Sequence, residues 1–214
     1  MIKVSEIVRI GPVIPVLAFD SVEEGEAVCR ALYEGGVKVL EITLRTAAGL
    51  GVIERASKIA DDIVVGVGTL TKPSEVEASR RAGAQFGVSP GLTRELHQAA
   101  ADAGLPMLPG CMTPSDLIQA ISFGYEIVKF FPAQQAGGVA MLNAFYGPFP
   151  NLRFCPTGGI TPETAPNFLA LPNVVCVGGS WMTPKAAVAA KDWAEVTRLA
   201  RASSKLGHHA AKAA

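Results

Sequence analysis

Histidine is scarce in this sequence: among 214 residues there are only His97, His208 and His209, the last two in the C-terminal tail. They form no ligand cluster, so metal-centred catalysis has little to build on. The four cysteines, Cys29, Cys111, Cys155 and Cys176, form no C-x-x-C pair and no disulfide-dense pattern. Reduced thiols packed as small hydrophobes in a cytoplasmic compartment are the expected state. An excess of charge is missing too, because 19 Lys and Arg are balanced by 19 Asp and Glu. Nothing of that kind draws the chain to nucleic acid or anionic lipid, and neither is expected as a partner. The opening Met1-Ile2-Lys3-Val4-Ser5-Glu6 has no apolar h-region and does not read as a signal peptide. The charge-free stretch between Glu163 and Lys185 is as long as a membrane span, but Pro166, Asn167, Pro172, Asn173 and Gly178-Gly179-Ser180 interrupt it. It reads as a buried helix, a turn and a strand.

What the sequence has is a folded composition, 49% apolar and 18% charged, at a length suited to one domain. Short β-branched runs alternate with segments of helical period. The strand candidates are Val13 to Phe19, Val37 to Thr43, Ile63 to Thr69, Gln85 to Ser89, Pro106 to Leu108, Glu126 to Phe131, Arg153 to Pro156 and Val174 to Val177. Between them, segments such as Ser21 to Glu34, Pro73 to Ala82, Thr93 to Ala103 and Pro114 to Phe123 open on Ser, Thr or Pro and close on Gly, the usual start and stop chemistry. Repeated strand and crossover helix units imply a buried parallel sheet. Eight of them favour an α/β fold of the closed (β/α)8 TIM-barrel type, with Lys3 to Arg9 as a short N-terminal helix across the bottom. An open dinucleotide-binding sheet would need G-x-G-x-x-G after a strand, and none occurs. The domain is expected to span residues 1–206, with 207–214 a frayed tail.

In such a barrel, chemistry comes from the carboxyl ends of strands. Alternation in Val37 to Thr43 puts Val37, Val39, Glu41 and Thr43 on one face, so Glu41 points into apolar surroundings. Lys129 stands among apolar neighbours in Ile127-Val128-Lys129-Phe130-Phe131-Pro132. Burial penalises an ammonium and favours the neutral amine, which can attack a ketone. A structural ion pair with Glu41 is the competing account. Thr69, after Gly66 and Gly68, offers a hydroxyl to a substrate oxygen or to its own backbone. Arg45 suits a two-pronged grip on a carboxylate, or is a surface loop arginine. Thr157-Gly158-Gly159-Ile160 and Gly178-Gly179-Ser180-Trp181 read as turns after the seventh and eighth strands, where barrels commonly hold phosphate on backbone N–H groups.

These residues sit in motifs that run almost from end to end of the chain. They are Gly11-Pro12-Val13-Ile14-Pro15-Val16, Gly35-Gly36-Val37, Leu40-Glu41-Ile42-Thr43-Leu44-Arg45-Thr46, Gly66-Val67-Gly68-Thr69 and Val88-Ser89-Pro90-Gly91-Leu92, then Lys129-Phe130-Phe131-Pro132-Ala133, Arg153-Phe154-Cys155-Pro156-Thr157-Gly158-Gly159-Ile160 and Gly178-Gly179-Ser180-Trp181. With them the sequence strongly resembles the bacterial 2-keto-3-deoxy-6-phosphogluconate and 4-hydroxy-2-oxoglutarate aldolases, Schiff-base lyases of the Entner-Doudoroff type. The resemblance implies Lys129 as Schiff-base former, Glu41 as general acid and base, and Arg45 and Thr69 as binders of the pyruvate part. It also implies Gly158, Gly159 and Ser180 at the phosphate, and Phe131, Pro90 and Thr157 lining the pocket. A cytoplasmic homotrimer follows from it, needing no metal or cofactor beyond the lysine adduct. Its reactants would be a phosphorylated 2-keto acid, pyruvate and glyceraldehyde 3-phosphate. Two alternatives are an aldolase of the 6-phosphogalactonate type, and a non-covalent phosphate-binding isomerase using Glu41 as base.

Overall fold

The computed structural model describes residues 2–207, so all of the expected tail except Gly207 lies outside the described residues. The strands are β1 (Val13–Leu17), β2 (Val39–Thr43), β3 (Val64–Gly68), β4 (Phe86–Val88), β5 (Met107–Leu108), β6 (Gly110–Cys111), β7 (Ile127–Phe130), β8 (Arg153–Pro156) and β9 (Val177–Gly179). The helices are α1 (Val4–Ile7), α2 (Val22–Glu34), α3 (Gly49–Ala56), α4 (Pro73–Arg81), α5 (Arg94–Asp102), α6 (Pro114–Ser122), α7 (Gly138–Tyr146), α8 (Ala165–Leu169), α9 (Lys185–Ala189) and α10 (Trp193–Ser204). Helix starts follow the sequence chemistry: Ser21, Thr93 and Thr113 accept from the amides of Glu24, Leu96 and Asp116, and Pro73 and Pro114 open α4 and α6. Among the described residues no helix is long and apolar enough to cross a membrane.

The result is an α/β fold around parallel strands. Six form a sheet bent into a half-barrel, in the order β5-β4-β3-β2-β1-β9, and β6-β7-β8 form a second sheet. Isolated parallel bridges join Phe154 to Val174 and Thr157 to Gly178, across the gap between β8 and β9. The expected fifth strand, Pro106 to Leu108, is β5, and a further short strand, β6, follows it across Pro109, which has no N–H to give to a ladder. Its carbonyl instead accepts the amide of Lys129 at 2.9 Å. β5 then pairs with β4, and β6 with β7.

Two sequence expectations shift. β9 starts at Val177 instead of Val174, so Gly178 and Gly179 are strand residues paired with Ile14 and Pro15, not a turn. Their missing side chains make room for neighbours, since a Cβ would overlap Thr157 Oγ1 at Gly178 and the Trp181 ring at Gly179. Val37 also departs from the expected face. The pleat begins only at Val39, and Val37 packs with Leu40 and Ile42 in the outer core.

That outer core fills the space between strands and helices, while a smaller inner cluster unites residues from both sheets: Ile14, Val39, Val64, Phe86, Leu108, Ile127 and Cys155. Ile7 and Val8 belong to it, so α1 and the residue after it cover one end of the inner space, as the sequence suggested. Strand register fixes what comes above this floor. Glu41 lies beside Val16 and Gly66, and Lys129 beside Gly110 and Cys155. Parallel partners share a face, so both ionisable side chains turn inward. Two glycines of β3 leave space for inner neighbours: a Cβ on Gly66 would overlap the Phe86 ring, and one on Gly68 would overlap Glu41 Oε1. Overpacking a full core costs about 1 to 3 kcal/mol. Gly66→Ala is therefore expected to lower the unfolding free energy by that amount, read as a lower urea midpoint at an unchanged m-value, and an unchanged midpoint would show that the Phe86 layer is loosely packed.

Candidate active site

Lys129 and Glu41 come from different sheets and meet inside the molecule, with Nζ 3.1 Å from Oε1. Lys129 is 4% exposed and Glu41 3%. Lys129 also faces the Phe131 ring, its Nζ 5.3 Å from the centroid, a cation–π distance that covers the amine with an aromatic face. Cys155 and Cys176 lie in the same inner cluster. A hydrogen bond with Cys155, burial and the charge of Glu41 together push the Cys176 thiol well above its ordinary range. It stays a neutral thiol beside the pair. All four cysteines are free and buried, in keeping with the sequence expectation.

A pocket of about 280 Å³ opens close by, lined by Val16, Arg45, Phe131, Thr157, Gly158, Gly159, Ile160, Gly178, Gly179 and Ser180. Phe131 belongs to this wall and also stacks over Lys129, so the pair and the pocket share one side chain. Gly158 and Gly159 have φ of 107° and 72°, left-handed values that suit glycine, and the turn is pinned from behind. Ala133 N–H donates to Thr157 O at 2.8 Å and Gln134 N–H to Gly158 O at 3.0 Å. Among the described residues, the amides of Gly159 and Ser180 donate to no backbone or side-chain acceptor. Free N–H groups at such a turn can form an anion-binding concavity. Arg45 adds a positive charge to the lining and, among the described residues, has no carboxylate partner.

Of the residues singled out in the sequence, the structure thus gathers Arg45, Phe131, Thr157, Gly158, Gly159 and Ser180 around one pocket, with Lys129 and Glu41 buried next to it. Thr69 and Pro90 stand apart from that lining. Thr69 closes β3 immediately after Gly68, with φ of 64°, rare for a β-branched residue and a form of strain found at functional sites. Its hydroxyl has no hydrogen bond among the described residues, so it does not serve its own backbone. Pro90 is exposed, and its carbonyl presses against Gly110, the register partner of Lys129. Val16 was missed, although its alternation with Ile14 in β1 signals an inward position. No group of three or more His, Cys, Asp or Glu among the described residues is placed to hold a metal.

Removing one partner of a buried ion pair strands the other charge, at about 3 to 5 kcal/mol, whereas an apolar pair of similar volume is often tolerated. Glu41→Ala is expected to lose that much stability by chemical denaturation, and Glu41→Leu with Lys129→Met to recover most of it. If the single substitution were neutral, the two charges would not be as dry as their exposure indicates.

The chain was compared with known proteins. The model of the KDPG and KHG aldolase family matches residues 4–199. The 2-dehydro-3-deoxy-phosphogluconate aldolase of Pseudoalteromonas atlantica is 45% identical over 191 residues, 89% of each chain. Among solved structures, the Zymomonas mobilis ZM4 2-keto-3-deoxy-6-phosphogluconate aldolase with 3-phosphoglycerate superimposes with a TM-score of 0.92 at 38% identity, over 98% of both chains. The Legionella pneumophila KDPG aldolase, with pyruvate captured as a covalent carbinolamine intermediate, gives 0.90 at 40% identity over 94% of this chain and 97% of that one. A family model spanning nearly the whole chain and relatives of this similarity agree: the chain belongs to the KDPG and KHG aldolase family.

Proposed function

We propose that the protein is a class I aldolase that cleaves 2-keto-3-deoxy-6-phosphogluconate to pyruvate and glyceraldehyde 3-phosphate through a Schiff base on Lys129. The observation that carries this reading is the 3.1 Å contact between Lys129 Nζ and Glu41 Oε1 beside a pocket whose arginine and backbone amides at Gly159 and Ser180 have no partner among the described residues. Glu41 takes a proton from the ammonium, and the resulting amine attacks the C2 ketone. The carbinolamine loses water as Glu41 returns a proton to its hydroxyl, leaving a protonated imine as electron sink. Glu41 then removes the C4 hydroxyl proton, the C3–C4 bond breaks, and its electrons form the enamine. Glyceraldehyde 3-phosphate departs. Protonation of the enamine at C3 and hydrolysis of the imine release pyruvate and restore Lys129. Arg45 grips the carboxylate and Thr69 a substrate oxygen, while the amides of Gly158, Gly159 and Ser180 take the phosphate. Phe131, Thr157 and Pro90 shape the walls. Every step uses side chains already present, so no metal or cofactor is required.

The same proposal covers the wider architecture. The bridges between Phe154 and Val174 and between Thr157 and Gly178, together with the short step across Pro109 from β5 to β6, support closure of the two sheets into one (β/α)8 barrel. Residues 1–206 then act as a single domain in the cytoplasm. Assembly as a homotrimer is supported by large apolar side chains exposed on or next to α6 and α7: Met112, Ile118, Ile121, Met141 and Tyr146. 4-Hydroxy-2-oxoglutarate and the galactonate epimer present the same 2-keto-4-hydroxy acid to Lys129, and kcat/KM measured side by side ranks them.

Borohydride added with pyruvate should leave a reduced pyruvyl adduct on Lys129, located by peptide mass mapping; an adduct on Lys38, or none, overturns the assignment. Glu41→Gln should lower kcat by about 10²- to 10⁴-fold, the usual contribution of a positioned acid and base. Light scattering should return three times the chain mass, and a monomer would remove the trimer from the proposal.

A further inference from the structure

Arg45 is the exposed wall of the pocket, yet the backbone that carries it is held at two points by hydroxyl groups. Two residues before it, Thr43 is fully buried and its Oγ1 donates to the carbonyl of Leu17 at 2.8 Å. One residue after it, the Oγ1 of Thr46 donates to the carbonyl of Phe19 at 2.5 Å. Both acceptors belong to the end of β1 and the chain just beyond it, the strand that gives Val16 to the same pocket. A third tie runs the other way, from Leu44 N–H to Gly68 O at 3.0 Å, on the strand whose glycine houses Glu41. The segment between β2 and α3 is thereby stitched to β1 on one side and to β3 on the other. An arginine with no ion-pair partner pays rotamer entropy when it closes on a carboxylate, and a fixed Cα limits that loss.

From this geometry we propose that Thr46 is a positioning residue that aims Arg45 at the substrate carboxylate, Thr43 anchoring the same loop from within the core. The inference rests on Arg45 gripping the substrate in the aldolase reading above. Thr46 touches no reacting atom. Its hydroxyl holds the β1 and β2 ends together, so the guanidinium meets the anion from a set origin. An interaction made equally in the bound substrate and in the transition state appears in KM and leaves kcat alone.

Thr46→Val keeps the shape and removes the hydroxyl, and Thr46→Ser keeps the hydroxyl. Steady-state kinetics with the keto acid should show KM raised about three- to tenfold in Thr46→Val with kcat nearly constant, and restored in Thr46→Ser. In an Arg45→Ala background the Thr46→Val substitution should add little further, because its effect passes through Arg45. An unchanged KM in Thr46→Val overturns the proposal. So does a KM penalty that is undiminished without Arg45, or one that appears only as a lowered melting temperature. Should Thr46→Val fail to fold, Thr46→Ala and Thr46→Ser decide by the same KM comparison. Wild-type protein that neither turns over the keto acid nor forms the borohydride adduct would bring down the aldolase reading itself, whereas an active wild type without coupling between positions 45 and 46 brings down Thr46 alone.

Discussion

Everything in the inner space is arranged around one contact between opposite charges, Lys129 on β7 and Glu41 on β2. An ion pair of this kind is an unpromising source of stability, because taking two charges out of water offsets most of their attraction. Its surroundings accommodate it at several points. Gly68 gives up a side chain so that the Glu41 carboxylate fits against β3, and the Phe131 ring covers the amine. The Lys129 amide is held by the carbonyl of Pro109, at the step between β5 and β6. Since the two charges belong to different sheets, they also tie the halves of the molecule together across its interior.

Parallel strands turn position along the chain into height within the fold. On each strand a step of two residues moves one level along the same face, so Val39 leads to Glu41, Ile127 to Lys129 and then Phe131, and Cys155 to Thr157. The lowest level is apolar and covered by Ile7 and Val8, the middle level carries the buried lysine and glutamate, and the upper level opens to a pocket lined by Arg45 and glycine backbone. Polarity thus rises in one direction. A substrate with a keto group at one end and a phosphate at the other fits this gradient, with the electrophile next to the amine.

Much of this order was legible in the residues. A lysine among Ile127, Val128, Phe130 and Phe131 is too costly to be incidental, and Glu41 within a β-branched run poses the same question from the other side. Helix limits were legible as well, since Ser21, Thr93 and Thr113 and the prolines after Lys72 and Thr113 act locally, through bonds to residues a few positions away. What depends on distant partners was not. The break at Pro109, the late start of β9 and the inward strand role of Gly178 and Gly179 are settled by which strand lies alongside. For the same reason Gly66 and Gly68 could be recognised as openings without revealing that a phenylalanine ring and a carboxylate fill them. The staples from Thr43 and Thr46 join positions 26 and 27 residues apart, beyond the reach of any local pattern.

The turn at Gly158 and Gly159 presents amides, not side chains, to the pocket. Every amino acid except proline carries the same N–H, so whatever such a turn offers a ligand is encoded by the path of the chain and leaves almost no chemical signature of its own. Variation among side chains can retune Arg45, Thr157 or the apolar walls without disturbing it. The backbone wall and the side-chain walls can therefore vary separately, and a lineage could change what the side chains select while keeping the same turn.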